Sequence, residues 1–267
     1  MKQLLSIAGS DSSGGAGIQA DLKTFSALGA YGMSAICAIT AQNTTGVSAS
    51  LVLEPGLIVR QLDAVFDDIR VDAVKIGMLG DARAVRAVAG VLRARRPPIL
   101  VLDPVMVSKS GHRLLEPDAA SALVSLLFPL ASLVTPNIPE AEVLLGERIV
   151  DLAGMEKAAT ALRSLGSGAA LVKGGHLEGE AVDVLADGEG TRSYSGERIA
   201  AKHTHGTGCS LSSAIAAFMA RGLPLRAAVG EAKVWVAAGI REGLDIGSGC
   251  GPIHHFHEFY DAEGRPR

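Results

Sequence analysis

The chain has 267 residues with a formal net charge of −3, and 48% of them are hydrophobic whereas 4% are aromatic. This length suits one large α/β domain or two small ones, and it is ample for a sizeable core. Acidic and basic residues are mixed without a dense Lys/Arg run, so nucleic-acid binding has little support. No apolar run is long enough to span a bilayer, so we expect no membrane partner.

Cysteine usage and the start of the chain indicate a compartment. The three cysteines, Cys37, Cys209 and Cys250, lie far apart and lack metal-ligand spacing. An odd and sparse set of this kind favours a reducing environment. Residues 1–3 lead directly into the first apolar run, so we expect no signal peptide and a cytoplasmic location.

Short apolar runs alternate with segments of helical periodicity along the whole chain. The predicted strands are residues 4–8, 34–40, 71–77, 99–103, 132–135 and 169–173. The predicted helices are residues 17–28, 57–69, 82–95, 119–127, 139–145, 155–165, 209–221 and 225–242, and residues 181–186 and 191–197 are predicted to form a hairpin. This alternation is typical of a parallel sheet covered by helices on both faces. Without a linker or repeat, the simplest organisation is a single domain over residues 1–267.

Polar and glycine residues follow the predicted strands where each strand ends. In open α/β sheets, ligands bind outside the carboxyl ends of the strands, so these residues are candidates for one site. The strand-end segments are 9–11, the vicinity of Gln42, 77–78, 103–104, 135–137 and 173–175.

The run from His203 to Ala214, with Gly206 and Gly208 on either side of Thr207 and Cys209 next, carries the strongest functional signal. Glycine lets the backbone turn and approach a ligand closely, and the first amides of a helix have no partner within the helix. Together these features predict a phosphate cradle. A thiol at that position is expected to have a lowered pKa and to serve as a base or nucleophile. The alternative is a glycine turn before a buried helix in which Cys209 only fills space.

Three charged residues at strand ends suggest phosphate chemistry. Asp103 and Glu140 form a plausible acidic pair that would hold Mg²⁺ against nucleotide phosphates, although a turn aspartate and a helix-start glutamate are common. Lys173 ends an apolar strand and needs a partner, for which a phosphate is a natural choice. Asp21 either favours the dipole of the first helix or accepts hydrogen bonds from a polar substrate, and the sequence leaves both open.

Two familiar nucleotide fingerprints do not account for this chain. Residues 15–20 fit the loose pattern G-x-G-x-x-G/A, but the turn is too long and no acidic residue follows at the ribose position. A Walker loop is absent from the sequence. A dinucleotide oxidoreductase is therefore disfavoured. The glycine- and histidine-rich residues 247–257 do not match a zinc pattern and are expected to form a structural turn.

Several segments, in this order, resemble the hydroxymethylpyrimidine/phosphomethylpyrimidine kinases, a thiamine-pathway family of the ribokinase-like superfamily. They are residues 7–21, 40–44, 75–79, 102–107, 135–142, 171–176, 203–214 and 251–256. The resemblance implies a three-layer α/β/α sandwich with a mostly parallel sheet, and a homodimer. It also implies transfer of the ATP γ-phosphoryl group to the hydroxymethyl group of a pyrimidine, followed by phosphorylation of that monophosphate to the diphosphate.

The same resemblance implies roles for individual residues. Gln42 would read the aminopyrimidine edge, since an amide donates and accepts at once. The rest of the pyrimidine pocket would be Gly9, Asp21, Met78 and Val105. The ATP phosphates would meet Lys173, Asn137 and Thr207, and Mg²⁺ would be supported by Asp103 and Glu140. The anion hole would be Gly206, Thr207 and Gly208, with Cys209 where most ribokinase relatives carry a catalytic aspartate.

Two rival functions remain beside this one. A pyridoxal/pyridoxine kinase of the same superfamily is the nearest alternative, because some members with a Gly-Thr-Gly-Cys motif accept vitamin B6 alcohols. Gln42 and Met78 favour the pyrimidine. A non-catalytic pyrimidine sensor that controls transcription would need a DNA-binding segment, for which the chain has no basic patch.

Overall fold

The computed structural model describes residues 1–106, 117–175 and 180–267, so Val107 and His176, each the last residue of a family-like segment, lie outside the described residues. The strands are β1 (Gln3–Asp11), β2 (Tyr31–Asn43), β3 (Gly46–Val52), β4 (Ala73–Ile76), β5 (Leu100–Leu102), β6 (Leu133–Val134), β7 (Ala170–Val172), β8 (Asp183–Asp187) and β9 (Gly190–Tyr194). The helices are α1 (Gly17–Ala27), α2 (Pro55–Asp68), α3 (Ala82–Arg95), α4 (Pro117–Leu126), α5 (Ile138–Leu145), α6 (Leu152–Ser164), α7 (Thr207–Ala220) and α8 (Leu225–Arg241).

All nine strands of the described residues join one sheet in the order β3-β2-β1-β4-β5-β6-β7-β8-β9. The pairs from β2 through β1, β4, β5 and β6 to β7 are parallel. At the two ends of the sheet, β3 pairs antiparallel with β2, and β8 and β9 form an antiparallel hairpin beside β7. The prediction of a mostly parallel sheet is confirmed.

Side chains of the central strands alternate between two apolar layers, one on each face of the sheet. Along β1, Leu5 and Ile7 join the core under α2 to α6, whereas Leu4 joins the core under α1, α7 and α8. This period of two is what a strand buried on both faces requires. The structure therefore confirms the three-layer α/β/α sandwich.

Helices were predicted more accurately than strands. The bounds of α3 match the prediction at both ends, because Asp81 caps the helix by accepting from the Ala84 amide at 2.8 Å. Strand β2 is longer than the predicted residues 34–40, because residues 31–33 continue the ladder to β1 and residues 41–43 continue the ladder to β3. β3 was not predicted, since its middle residues 48–51 are exposed and the strand lacks an apolar run.

The parallel strands all end at one edge of the sheet, and this places the predicted strand-end residues together. β1 shifts register between Ala8 and Gly9, just before its carboxyl end. Asn137 and Lys173, which follow β6 and β7, form an isolated parallel bridge. Within the three described ranges, no helix combines the length and apolar character needed to cross a membrane.

Candidate active site

A cavity of about 1120 Å³ opens at the carboxyl edge of the sheet. This exceeds the roughly 300–1,000 Å³ typical of a single small-molecule site, so the cavity has room for two ligands. All predicted site residues except Asp21 line it, namely Gly9, Gln42, Met78, Asp103, Val105, Asn137, Glu140, Lys173, Gly206, Thr207, Gly208 and Cys209.

The loop before α7 depends on a glycine with a left-handed backbone. Gly206 is the N-cap of α7 and has φ +80°, and a Cβ there would lie 1.8 Å from the carbonyl oxygen of Gly15. The first α-helical hydrogen bond of this turn runs from the Ser210 amide to the Gly206 carbonyl at 2.8 Å. The earlier amides of the turn have no intrahelical acceptor and lie at the positive end of the helix dipole. This geometry fits the predicted phosphate cradle.

Opposite charges meet at this helix terminus. Lys173 Nζ lies 2.7 Å from Asp103 Oδ1. A Cβ on Gly208 would lie 3.3 Å from Lys173 Nζ and 3.8 Å from Asp103 Oδ2, so both groups sit directly against the first turn of α7. Although burial opposes its charge, the neighbouring Asp103 and Glu140 raise the pKa of Lys173. A fixed cation thus accompanies the helix amides.

Asn137 and Glu140 begin α5 as a capping box. Asn137 Oδ1 accepts from the Glu140 amide at 2.9 Å, and Glu140 Oε2 accepts from the Asn137 amide at 2.8 Å. Burial raises the pKa of Glu140 to about 7; Lys173 opposes this rise and Asp103 adds to it. Lys173 therefore compensates only part of the cost of burying two neighbouring carboxylates, and a further cation would favour their charged forms.

The expectation of a lowered pKa for Cys209 is wrong. Burial raises the pKa of this thiol to about 11; Lys75 opposes the rise, Asp21 and Asp103 add to it, and a hydrogen bond from the Gly17 amide opposes it. Desolvation therefore outweighs the helix terminus and the nearby lysine. The resting side chain is a thiol that lines the cavity.

Asp21 does not line the cavity, and its predicted contact with a substrate is corrected here. The carboxylate is fully buried and lies 2.8 and 2.9 Å from Lys75 Nζ, and it accepts from Ser6 Oγ at 2.6 Å and Ser213 Oγ at 2.7 Å. Both oxygens are occupied by this network. Asp21 instead holds Lys75, which does line the cavity.

Lys75 is a site residue that sequence reasoning missed. It lies in β4 and is fully buried. Burial lowers the pKa of Lys75, but Asp21, Cys209 and Asp103 together outweigh burial and raise the pKa above its ordinary value. The signal was present in the sequence, since Lys75 falls inside the apolar residues 71–77 just as Lys173 falls inside residues 169–173. A buried lysine on a strand needs a charged partner in both cases.

The other end of the cavity brings Gly9, Met78 and Gln42 together. A Cβ on Gly9 would lie 3.1 Å from Met78 Sδ, so glycine leaves this wall flat. The Gln42 amide lies 3.1 Å from Thr40 Oγ1 and 3.2 Å from His205 Nε2. Sequence reasoning did not single out His205, because its partners are remote in the chain.

A third part of the cavity was also missed. It is formed by apolar residues on one side of α8, namely Val234, Ala237 and Ile240, and by the largely polar residues 195–199 that follow β9. Val234 is 68% exposed although it lines the cavity. An open slot with apolar residues on one side, beside the positive end of a helix, suits a ligand with a flat ring and an anionic chain.

Comparison with known proteins identifies the family. The sequence model described as phosphomethylpyrimidine kinase matches residues 11–254. This chain belongs to the phosphomethylpyrimidine kinase family. The predicted family and its kinase class are thereby confirmed.

Individual kinases of the family are similar over nearly the whole chain. The hydroxymethylpyrimidine/phosphomethylpyrimidine kinase of Rhizobium meliloti is 52% identical over 260 residues, which are 96% of this chain and 97% of that protein. The thiamine biosynthesis bifunctional protein ThiED of Geobacter sulfurreducens is 50% identical over 98% of this chain. The chain spans about half of that second protein, since the match covers 54% of its length.

Solved structures give the same fold. The phosphomethylpyrimidine kinase of Clostridium difficile has a TM-score of 0.80 and 47% identity, covering 89% of this chain and 98% of its own. The pyridoxal kinase of Staphylococcus aureus, solved with AMP-PCP and pyridoxal, has a TM-score of 0.88 and 34% identity, covering 97% and 94%. The pyridoxal kinase thus shares the architecture at a lower identity than the phosphomethylpyrimidine kinase.

Proposed function

We propose that this protein transfers the γ-phosphoryl group of ATP to 4-amino-5-hydroxymethyl-2-methylpyrimidine, and then phosphorylates the monophosphate to the diphosphate for thiamine biosynthesis. The observation that carries the proposal is the Lys173–Asp103 pair against the first turn of α7, in the same cavity as Gln42. The names of the most similar relatives support both reactions.

The N-terminus of α7 and Lys173 would bind the phosphates. Phosphoryl transfer relies on positioning and on stabilising charge at the equatorial oxygens, more than on covalent chemistry of the protein. The amides around Gly206 and Gly208 and the Lys173 ammonium group are fixed before any ligand arrives, so they need no reorganisation during the reaction. Asn137 and Thr207 line the same part of the cavity and would contact the nucleotide phosphates.

The donor set of Asp103 and Glu140 fits magnesium. Both are carboxylates, the hard oxygen ligands that Mg²⁺ uses together with substrate phosphates. The raised pKa of Glu140 indicates a site whose negative charge gains from a cation. Within the described residues, no group of three or more His, Cys, Asp or Glu side chains could hold a metal. Phosphate oxygens would therefore complete the ligand set, and the bound metal would neutralise charge on the transferred group.

Cys209 is proposed to accept the proton in the first reaction. The hydroxymethyl oxygen forms a bond to the γ-phosphorus, the bond from that phosphorus to the β–γ bridging oxygen breaks, and ADP leaves. The hydroxyl proton moves late in the reaction to the thiolate form of Cys209. The Lys75 ammonium group stabilises that thiolate. In the second reaction the acceptor is already an anionic phosphate, so no base is required.

The alternative acceptor is a vitamin B6 alcohol. The shared architecture with the S. aureus pyridoxal kinase is the observation behind this candidate. The pyrimidine is favoured, because identity to the R. meliloti pyrimidine kinase is 52% against 34% to that pyridoxal kinase.

An ATP-consumption assay with each acceptor tests the proposal. We expect ADP release with the aminopyrimidine alcohol, with monophosphate and then diphosphate as products by mass spectrometry, and a much lower kcat/KM with pyridoxal. The variant Lys173→Gln controls for contaminating ATPase activity. Faster turnover of pyridoxal would transfer the assignment to the vitamin B6 kinases, and turnover of neither acceptor would reject both.

The organisation of the protein in solution belongs to the same proposal. We propose a single domain over residues 1–267, a homodimer and a cytoplasmic location. Sedimentation velocity is expected to give twice the mass of 27.4 kDa, and denaturation a single cooperative transition. A monomer mass at micromolar concentration, or two separate transitions, would contradict these statements.

A further inference from the structure

His205 lies between Gln42 and an aspartate on the opposite wall of the cavity. Its Nε2 atom is 2.9 Å from Asp11 Oδ2 and 3.2 Å from Gln42 Nε2. The residue is 9% exposed, so water contributes little to these contacts. One imidazole nitrogen therefore lies within hydrogen-bond distance of two side chains.

The position of the His205 ring is fixed on several sides. A Cβ on Gly15 would lie 2.3 Å from His205 Cδ2, so the ring packs directly on the Gly15 backbone. The His205 amide donates to the Gly251 carbonyl at 3.0 Å, and the Ile253 amide donates to the His205 carbonyl at 3.4 Å. The ring cannot turn away from its two partners without moving these segments.

The Asp11 carboxylate determines whether His205 Nε2 carries a hydrogen. Its carboxylate accepts from the amides of Ser13 at 2.8 Å, Gly15 at 3.2 Å and Ala16 at 2.8 Å, and from Ser13 Oγ at 2.7 Å. Burial raises the pKa of Asp11, but hydrogen bonds from His205, Ser13 and Ala16 outweigh it and lower the pKa to about 2. An ionised carboxylate only accepts, so His205 Nε2 must carry a hydrogen.

A protonated Nε2 determines the orientation of the Gln42 amide. The oxygen and nitrogen of an amide have nearly the same shape, so the hydrogen bonds decide which of them faces His205. In the structure Gln42 Nε2 faces His205 and Gln42 Oε1 accepts from Thr40 Oγ1 at 3.1 Å, so the amide N–H groups are set against the N–H of His205. The reversed amide turns Oε1 toward His205, where it can share the single Nε2 hydrogen with Asp11 Oδ2. The amino group must then face Thr40 Oγ1, whose own hydrogen is donated to the Ser10 carbonyl at 2.9 Å. In this arrangement no two donors face each other.

We propose that His205, held by Asp11, is a positioning residue that fixes the direction in which the Gln42 amide presents its acceptor and its donor. The proposal rests on the pyrimidine kinase function proposed above. The acceptor lies on the side of His205 and the donor on the side of Thr40. A substrate with a ring nitrogen beside an amino group matches this edge in only one orientation.

That orientation places the reacting group correctly. The amino group of the pyrimidine faces Gln42 Oε1, and the ring nitrogen accepts from the Gln42 amino group. The hydroxymethyl carbon is attached next to the carbon that bears the amino group. It therefore lies on the side of His205, where Gly206 begins the phosphate cradle. The opposite direction of the amide would turn the hydroxyl away from the phosphoryl group.

Selectivity between two acceptors tests the proposal. In a pyrimidine analogue with a 4-oxo group, the 4-oxygen accepts and the neighbouring ring N–H donates, so donor and acceptor are exchanged relative to the amino compound. The wild-type enzyme is expected to prefer the 4-amino compound to the 4-oxo analogue. In His205→Leu the Gln42 amide can reverse, so the ratio of kcat/KM for the amino compound to that for the oxo analogue should fall about tenfold or more. The variant His205→Gln keeps an N–H donor and should restore part of the ratio. His203→Gln, whose ring contacts the Gly251 amide instead, is the matched control.

Equal losses for both acceptors in His205→Leu would overturn the proposal and leave a structural role. A second measurement uses the unaltered protein, in case the leucine variant fails to fold. Long-range ¹H–¹⁵N spectra of histidine-labelled protein should show a proton on His205 Nε2, with the signals assigned by their absence from His205→Gln. A proton on Nδ1 alone would overturn the proposal. Wild-type inactivity on the amino compound would instead reject the proposed function, whichever tautomer is found.

Discussion

At the scale of single residues, burial decides the protonation of the groups around the first turn of α7. The N-terminus of a helix is worth about 0.3–1 kcal/mol to a nearby anion. Desolvation of a buried group shifts its pKa by as much as 3–5 units, and each unit corresponds to about 1.4 kcal/mol. Burial is therefore the larger effect at Cys209, and a thiol with a raised pKa is the outcome.

The Cys209→Ala variant should impair the first phosphorylation much more than the second, because only the alcohol acceptor must lose a proton. In the wild-type protein, the thiolate fraction rises about tenfold per pH unit below the pKa of about 11. The first reaction should therefore accelerate with pH between 7 and 9, whereas the second should lack this dependence. Single-turnover rates of each step across this pH range are the measurement.

A second cysteine provides the control for this experiment. Cys250 is half-buried in the C-terminal segment and does not line the cavity. Cys250→Ala should leave both rates unchanged. Equal losses of both steps in Cys209→Ala would discard the base role and leave Cys209 as part of the cradle.

Residues that line the cavity could be predicted where the local sequence carried the signal, and not where their partners are distant. Lys173 stood out because a lysine ends an apolar strand. For Asp21 the sequence left two readings open, and the choice between them depends on Lys75, 54 residues away. The pairing of His205 with Asp11 spans 194 residues, which no local pattern reveals.

At the scale of elements, the turn before α7 is a place where the backbone permits only glycine. Both the positive φ of Gly206 and the contact of its missing Cβ with the Gly15 carbonyl exclude a side chain. The helix α5 begins in another way, because the side chains of Asn137 and Glu140 cap its first turn. Each element thus fixes one side of the proposed phosphate site.

Gly206→Ala should destabilise the protein by about 3 kcal/mol or more, since steric overlap adds to a left-handed backbone cost of roughly 1–2 kcal/mol. ATP affinity should fall as the cradle opens. Gly222→Ala is the matched control, because Gly222 has φ +101° but no atom within 4 Å of the Cβ position. It should lose only the backbone cost and keep its ATP affinity. Urea denaturation and calorimetric titration give the two quantities, and equal losses would contradict the steric argument.

Glu140→Gln should raise the Mg²⁺ concentration required for half-maximal activity by about tenfold, because an amide is a weaker ligand than a carboxylate. The fold should be retained, since glutamine also completes a capping box. Asn137→Ala serves as the opposite control, because it removes the cap and should lower stability by about 1 kcal/mol. An unchanged Mg²⁺ requirement in Glu140→Gln would remove this residue from the proposed metal support.

Elements with strong periodicity were predicted from the sequence, and elements stabilised by neighbours were not. The helix α3 was predicted with its bounds because apolar spacing and the Asp81 cap agree. The strand β3 was missed because its ladder to β2, rather than an apolar run, forms it. The hairpin of β8 and β9 was predicted, with ends that proved shorter on the second strand.

At the scale of the whole molecule, the C-terminal segment ties the first turn of α7 to the rest of the chain. His255 Nε2 lies 2.9 Å from Ser210 Oγ, and His257 Nε2 lies 3.1 Å from the Trp235 carbonyl. Both histidines are buried. A segment more than forty residues beyond the cradle therefore contributes to its support.

Acid should destabilise the fold through His255. Burial, with Lys23 and neighbouring histidines adding to it, lowers the pKa of His255 from 6.5 to about 3. Between these values the unfolded chain binds a proton that the folded protein does not, so the stability from this residue is lost as pH falls, at up to about 1.4 kcal/mol per unit.

The variant His255→Gln should remove this part of the pH dependence. Its free energy of unfolding, measured by urea denaturation, should differ from wild type by a constant amount above pH 7. The difference should change in favour of the variant between pH 6.5 and 4. Parallel curves over the whole range would show that His255 takes up its proton equally in both states.

The buried Lys75–Asp21 pair restricts how this enzyme can diverge or be redesigned. Both side chains are fully buried, so replacing one of them strands the charge of the other, at a cost of roughly 3–5 kcal/mol. Such a loss is a large share of the 5–15 kcal/mol that holds a typical domain together. Both residues therefore have to be replaced by neutral ones together, because a substitution at either position alone removes too much stability.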